Sequence, residues 1–96
     1  MTQPFITNLI FSILCEGVFT DQYEEQLRLV FAADEQDAVN FARDLGAKEE
    51  GKFVDRHGRI IGWNFIAVKD VTPVQLEQGA LLHSSIKEMQ PFSMID

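Results

Sequence analysis

Two runs of near alternation sit one after the other near the start of this chain, and they restrict the fold more than anything else in it. In FITNLIFSILCE, residues 5–16, the odd positions Phe5, Leu9, Phe11, Ile13 and Cys15 are apolar, while the even ones include Asn8, Ser12 and Glu16. A period of two with one dominant apolar face is the signature of a half-buried strand. Ile6, Ile10 and Leu14 make the second face partly apolar as well. Residues 17–22 read as a loop, and alternation resumes over 23–33, with Leu27, Leu29 and Phe31 pointing one way and Glu24, Gln26 and Arg28 the other. Two such runs joined by a short link imply an antiparallel hairpin.

A helix follows. Asp34 suits an N-cap, and Asp37 three residues on supplies a carboxylate variant of the capping box. Ala38, Phe41, Ala42 and Leu45 recur at helical spacing with Val39 beside them, and Gly46 reads as the stop, so the pattern predicts a helix over about 35–45. Acids crowd its first turn and Arg43 lies near its end, as the helix dipole favours. Its apolar stripe is narrow and must lie on a sheet, with Trp63 and Phe65 packed against Phe41 and Leu45. A polar strand is expected around Phe53 and Val54, a turn at Arg56-His57-Gly58, and a long strand over 59–71 with Trp63 and Phe65 on one face and Ile66 and Val68 on the other. Residues 70–79 have room for one helical turn. Ala80 to Met89 reads as a last strand and 90–96 as a loosely held tail. The expected architecture is one α+β domain over residues 1–96, with an ordered core over about 5–89. Its order is ββαβββ, a mainly antiparallel five-strand sheet with one helix on one face.

Charge narrows the functions. The chain carries 15 acids and 8 Lys and Arg, a formal net charge of −7. All of the excess lies in residues 1–50, which hold ten acids and three bases, including Glu24-Glu25, Asp34-Glu35-Gln36-Asp37 and Glu49-Glu50. Nucleic-acid binding draws its affinity from phosphate neutralisation, so this balance opposes it. Gly62-Trp63-Asn64-Phe65-Ile66-Ala67-Val68 has a likeness to the main strand of the RNA-recognition motif. It lacks the basic residue at Ile61, the small one at Asn64 and the aromatic at Val68. The longest apolar stretch, 9–15, is short for a membrane helix, and the N-terminal run lacks a basic leader segment. The expectation is a cytoplasmic protein.

The chemistry-bearing residues are sparse. One cysteine, Cys15, excludes an internal disulfide and reads as a buried, inert thiol. His57 and His83 show no metal-ligand spacing with it. Adjacent acids on a strand diverge, so Glu24-Glu25 and Glu49-Glu50 make no carboxylate dyad. No phosphate-binding glycine loop is present. No catalytic residue, cofactor or metal is therefore expected. Asp55, His57, Asp70 and His83 are the best polar residues for a small-ligand or enzymatic site, should the fold bring them together.

LRLVFAADEQDAVNFARDLG, the strand GWNFIAVKDV and the closing LEQGALLHSSI together resemble a small bacterial family, domain of unknown function 4288. Trp63, Phe65, Val68, Asp70 and Val71 fill its strand pattern, and Ala32, Glu35, Ala38 and Leu45-Gly46 its helix pattern. The resemblance spans about residues 8–88. It implies the fold and carries no activity or catalytic residue.

One helix leaves much of a sheet's second face bare. Ile6, Ile10 and Leu14, or Ile66 and Val68, would then be exposed unless another surface covers them. The expectation is a non-enzymatic protein-interaction module, self-associating as a homodimer through a sheet face or edge. The alternative is an acidic inhibitor or immunity-type protein that binds a basic partner.

Overall fold

The computed structural model describes residues 1–84 and Ile86. The chain forms β1 (Gln3–Cys15), β2 (Val18–Ala32), α1 (Glu35–Lys48), β3 (Gly51–Val54) and β4 (Ile60–Pro73). The four strands make one antiparallel sheet of order β2-β1-β4-β3, an α+β fold. The expected fifth strand is not matched: residues 80–84 carry no strand, and Ser85 and 87–96 lie outside the described residues. The described order is thus ββαββ rather than ββαβββ. No helical turn forms after β4 either. Val74 donates its N–H to the Pro4 carbonyl, and a turn closes with Ala80 donating to the Glu77 carbonyl at 3.1 Å.

The β1–β2 connection is tighter than the expected loop. Glu16 and Gly17 both take positive φ, 53° and 79°, and β2 begins at Val18. Two left-handed residues in succession match the twist of a two-residue hairpin. The irregularity lies further along, where the register shifts between Ser12↔Tyr23 and Leu14↔Phe19. There the Thr20 hydroxyl donates to the Ile13 carbonyl at 2.7 Å.

The helix starts as its capping residues dictate. Asp34 Oδ1 accepts the Asp37 N–H at 2.8 Å, and Asp37 Oδ2 accepts the Ala33 N–H at 3.1 Å. Its end corrects the expectation, because α1 runs through Gly46 to Lys48. Gly46 is a contact rather than a stop: an added Cβ would overlap the Phe65 ring. Ala38, Ala42 and Gly46 are the buried residues of α1, so the helix backbone lies close on the sheet and the strands supply the bulk. Phe41, expected in the core, is instead 55% exposed.

The core lies between α1 and the sheet in two clusters. Phe5, Val30, Ala32 and Ala38 form one, with Val71 against it. Leu9, Phe11 and Ala42 form the other, with Leu45, Trp63, Phe65 and Val68. Phe11 and Phe65 meet at 5.5 Å between ring centroids with planes 59° apart, a favourable aromatic geometry. Each buried Phe or Leu contributes about 1.5–3 kcal/mol. The odd residues of β1 thus face the helix as their alternation predicts.

β4 does not keep simple alternation. Asn8↔Asp70 gives way to Leu9↔Val68, and Ile10↔Ala67 to Phe11↔Phe65, so Lys69 and Ile66 are extra residues in two bulges. Ile66 and Val68 therefore do not share a face as expected. Val68 opposes Leu9 and packs beneath the helix, while Ile66 is 56% exposed.

Candidate functional site: the uncovered face of the sheet

The register fixes what lies on the face away from α1. Ile6 opposes Leu29, Asn8 opposes Leu27, Pro4 opposes Phe31 and Ser12 opposes Tyr23. Beyond the irregularity, Leu14 opposes Phe19. One edge of this face is therefore a row of Phe19, Tyr23, Leu27, Leu29 and Phe31, each 47–66% exposed. Ile6 and Leu14, the partners of Leu29 and Phe19, are half-buried beside them, as is Ile10, which opposes Glu25. Of the five residues expected at an interface, these three lie together on the open face. Ile66 is exposed in a bulge of β4, and Val68 belongs to the opposite side.

The alternation of Leu27, Leu29 and Phe31 is legible in the sequence, but the residues expected at an interface do not include them. The signal was present: in an antiparallel hairpin they must share a face with Ile6, Ile10 and Leu14 once the turn length is known.

A polar knot interrupts the apolar face. Asn8 is 4% exposed and its Nδ2 donates to Glu25 Oε2 at 3.2 Å. Lys69 Nζ, brought round by its bulge, lies 3.4 Å from Glu25 Oε1. The Asn8 hydrogen bond, then the Lys69 ammonium, hold the Glu25 carboxyl below its ordinary range against a desolvation that pushes it up. Asn8 Oδ1 is buried without a partner among the described residues. Past this knot, Leu81–Ser84 run beside Asp70 and Thr72 and enclose with them a hollow of about 370 Å³. That segment shelters the β4 side of the face, and among the described residues nothing lies over the β2 row.

A second hollow, of about 480 Å³, lies at the turn end. Gly62 opposes Leu14 on one side and Lys52 on the other, and the missing side chain makes a dip walled by Leu14, Lys52, Ile60 and Asn64. Gly62 is itself buried. A Cβ placed there would come no closer than 3.8 Å to any neighbour.

The expected polar residues do not form one site. Asp55 accepts the His57 N–H, the Arg59 N–H and Arg59 Nε, each at 2.9 Å. The Arg59 backbone N–H, then the His57 N–H and the guanidinium, hold its carboxyl below the ordinary range. This clamps the β3–β4 turn and leaves His57 exposed. Asp70 and His83 share the hollow beside β4, roughly 30 Å away at the strand rise of about 3.3 Å per residue. The strand between the two pairs, 60–69, is too long for them to converge. Cys15 is half-buried and free, and no cluster of three metal-ligating residues occurs among the described residues. No described helix is long and apolar enough to cross a membrane.

No curated protein and no solved structure matches the chain. A family model described as Domain of unknown function (DUF4288) matches residues 5–84, which include every strand, the helix and the open face. The chain belongs to that family.

Proposed function

We propose that this protein is a non-enzymatic interaction module that self-associates through the open face of its sheet. The observation that carries the reading is the row Phe19, Tyr23, Leu27, Leu29 and Phe31, which alternates as a core strand does yet has nothing over it among the described residues. At the 150–250 Å² of an aromatic side chain, the exposed parts of this row present roughly 550 Å² of surface. That is about two-thirds of the ~800 Å² each partner contributes to a standard stable interface, and Ile6, Ile10 and Leu14 of β1 border it. A patch of this size is at the upper end of what a monomer exposes, and such a patch is often functional. A second copy of the chain is the partner this face fits, since a two-fold contact needs only one self-complementary surface.

Sedimentation equilibrium tests the reading. Wild-type protein forms a dimer at micromolar concentration, and Leu29→Lys shifts it to monomer with the same circular dichroism. A wild-type chain that stays monomeric at several hundred micromolar overturns it.

The second reading, an acidic module for a basic partner, draws support from α1. Phe41 protrudes from a helix whose exposed residues include Glu35, Asp37 and Asp44, an apolar anchor within an acidic surround. Capture of a basic protein that is released by salt and abolished by Phe41→Ala would favour it over self-association.

A further inference from the structure

β2 (Val18–Ala32) is an outer strand of the sheet, and among the described residues no strand pairs with its free side. Past the irregularity near Phe19 it keeps unbroken register with β1 from Tyr23 to Ala32. A long, regular edge of unpaired N–H and C=O groups is a template for another strand.

The side chains of this edge carry a charge pattern. Glu24, Gln26 and Arg28 oppose Phe11, Leu9 and Thr7, so they stand on the helix side of the sheet. They form a hydrogen-bonded line, in which Arg28 donates to Gln26 Oε1 at 3.0 Å and Gln26 Nε2 donates to Glu24 Oε1. The line is positive at one end, neutral at its middle and negative at the other. Rotated by half a turn about an axis through Gln26 and normal to the sheet, it meets its own complement. A second β2 docked antiparallel in this way faces Glu24 with Arg28 and Arg28 with Glu24, and Gln26 meets Gln26 on the axis. Opposite charges directly across an antiparallel pair attract, and like charges repel. On the open side the same register sets Tyr23 of each copy against Leu29 of the other, so apolar meets apolar. Sliding either copy by two residues loses both ion pairs. Arg28 also lies 3.5 Å from Glu49 of its own chain, and a guanidinium has N–H groups to spare for a further carboxylate.

The approach lies in the plane of the sheet and meets no other element. Leu81–Ser84 lie over Asp70 and Thr72 of β4, and α1 packs over Leu9, Phe11 and Phe65 of β1 and β4, so both stand inward of this edge.

From this we infer that two copies of the chain pair edge to edge through β2, in the register that faces Glu24 of each with Arg28 of the other. One self-complementary edge suffices for a two-fold contact. The inference goes beyond the open-face contact, because it uses the rim of the sheet and polar residues of its helix side.

Sedimentation equilibrium of charge-reversed variants tests it. Glu24→Arg and Arg28→Glu each place like charges across both pairs, and each raises the dissociation constant at least about tenfold. On net charge alone Glu24→Arg would tighten the association, because it makes a chain of net charge −7 less negative; edge pairing predicts the reverse. An equimolar mixture of the two single variants recovers the parent affinity to within about threefold, since opposite charges then meet at both pairs. The double variant does the same. Recovery in the mixture also shows that both single variants are folded. If the parent dimerises and the single variants keep its affinity, or the mixture stays as weak as its parts, the edge pairing is wrong and self-association through the open face stands. A parent that is monomeric at several hundred micromolar overturns both.

Discussion

At Gly46 α1 lies directly against the sheet, because the Phe65 ring occupies the space its side chain would take. In an isolated helix Gly46→Ala would gain about 1 kcal/mol. Here overpacking costs about 1–3 kcal/mol and outweighs that gain. Urea unfolding of Gly46→Ala should therefore show a net loss of stability, and Phe65→Leu added to it should recover part of the loss by clearing the overlap. A gain in stability from Gly46→Ala alone would mean that the helix stands further off. Asp55 is the other decisive single residue. Its carboxyl is held low in the folded protein by the N–H groups of Arg59 and His57. A folded pKa below the unfolded one stabilises the protein above the ordinary carboxylate range, and that contribution disappears as pH falls through the folded value. Asp55→Asn should lower the thermal midpoint near neutral pH and narrow the gap to wild type in acid. A gap that stays constant with pH would remove this role.

At the scale of elements, the sequence reads well wherever a local signal agrees with its surroundings. The start of α1 was legible because Asp34 and Asp37 do by side-chain hydrogen bonding what their types predict. Asp34→Ala should cost about 1 kcal/mol, measured by denaturant unfolding. The helix end was not legible, because a glycine in a helical pattern signals a stop and a close approach equally. The hairpin was legible as an element but not in its turn: a glutamate at positive φ is unusual, and nothing in Glu16-Gly17 forces it. That hid which apolar residues of β2 accompany Ile6 and Ile10. The two bulges of β4 leave no mark in IIGWNFIAVKDV, so Ile66 and Val68 were placed together by alternation and separated by the register. The residues of the open face are thus legible on β1 and illegible on β4. The polar set Asp55, His57, Asp70 and His83 failed for a simpler reason: composition names side chains, and only the length of β4 shows that the pairs lie at its opposite ends.

For the whole molecule, the arrangement leaves an imbalance. One short helix with a spine of Ala38, Ala42 and Gly46 covers one side of four strands, and the other side keeps a row of large apolar residues at its edge. The family match over residues 5–84 includes that row and assigns it no role. In the proposed self-association this face is covered by a second copy in solution. Hydroxyl-radical footprinting across a dilution series reads that directly. Tyr23, Leu29 and Phe31 should gain protection as concentration rises through the dimerisation range, while Phe41 on the outer side of α1 labels equally throughout. Equal labelling of the β2 row at every concentration would contradict the account, and protection of Phe41 in its place would move the interface to the helix.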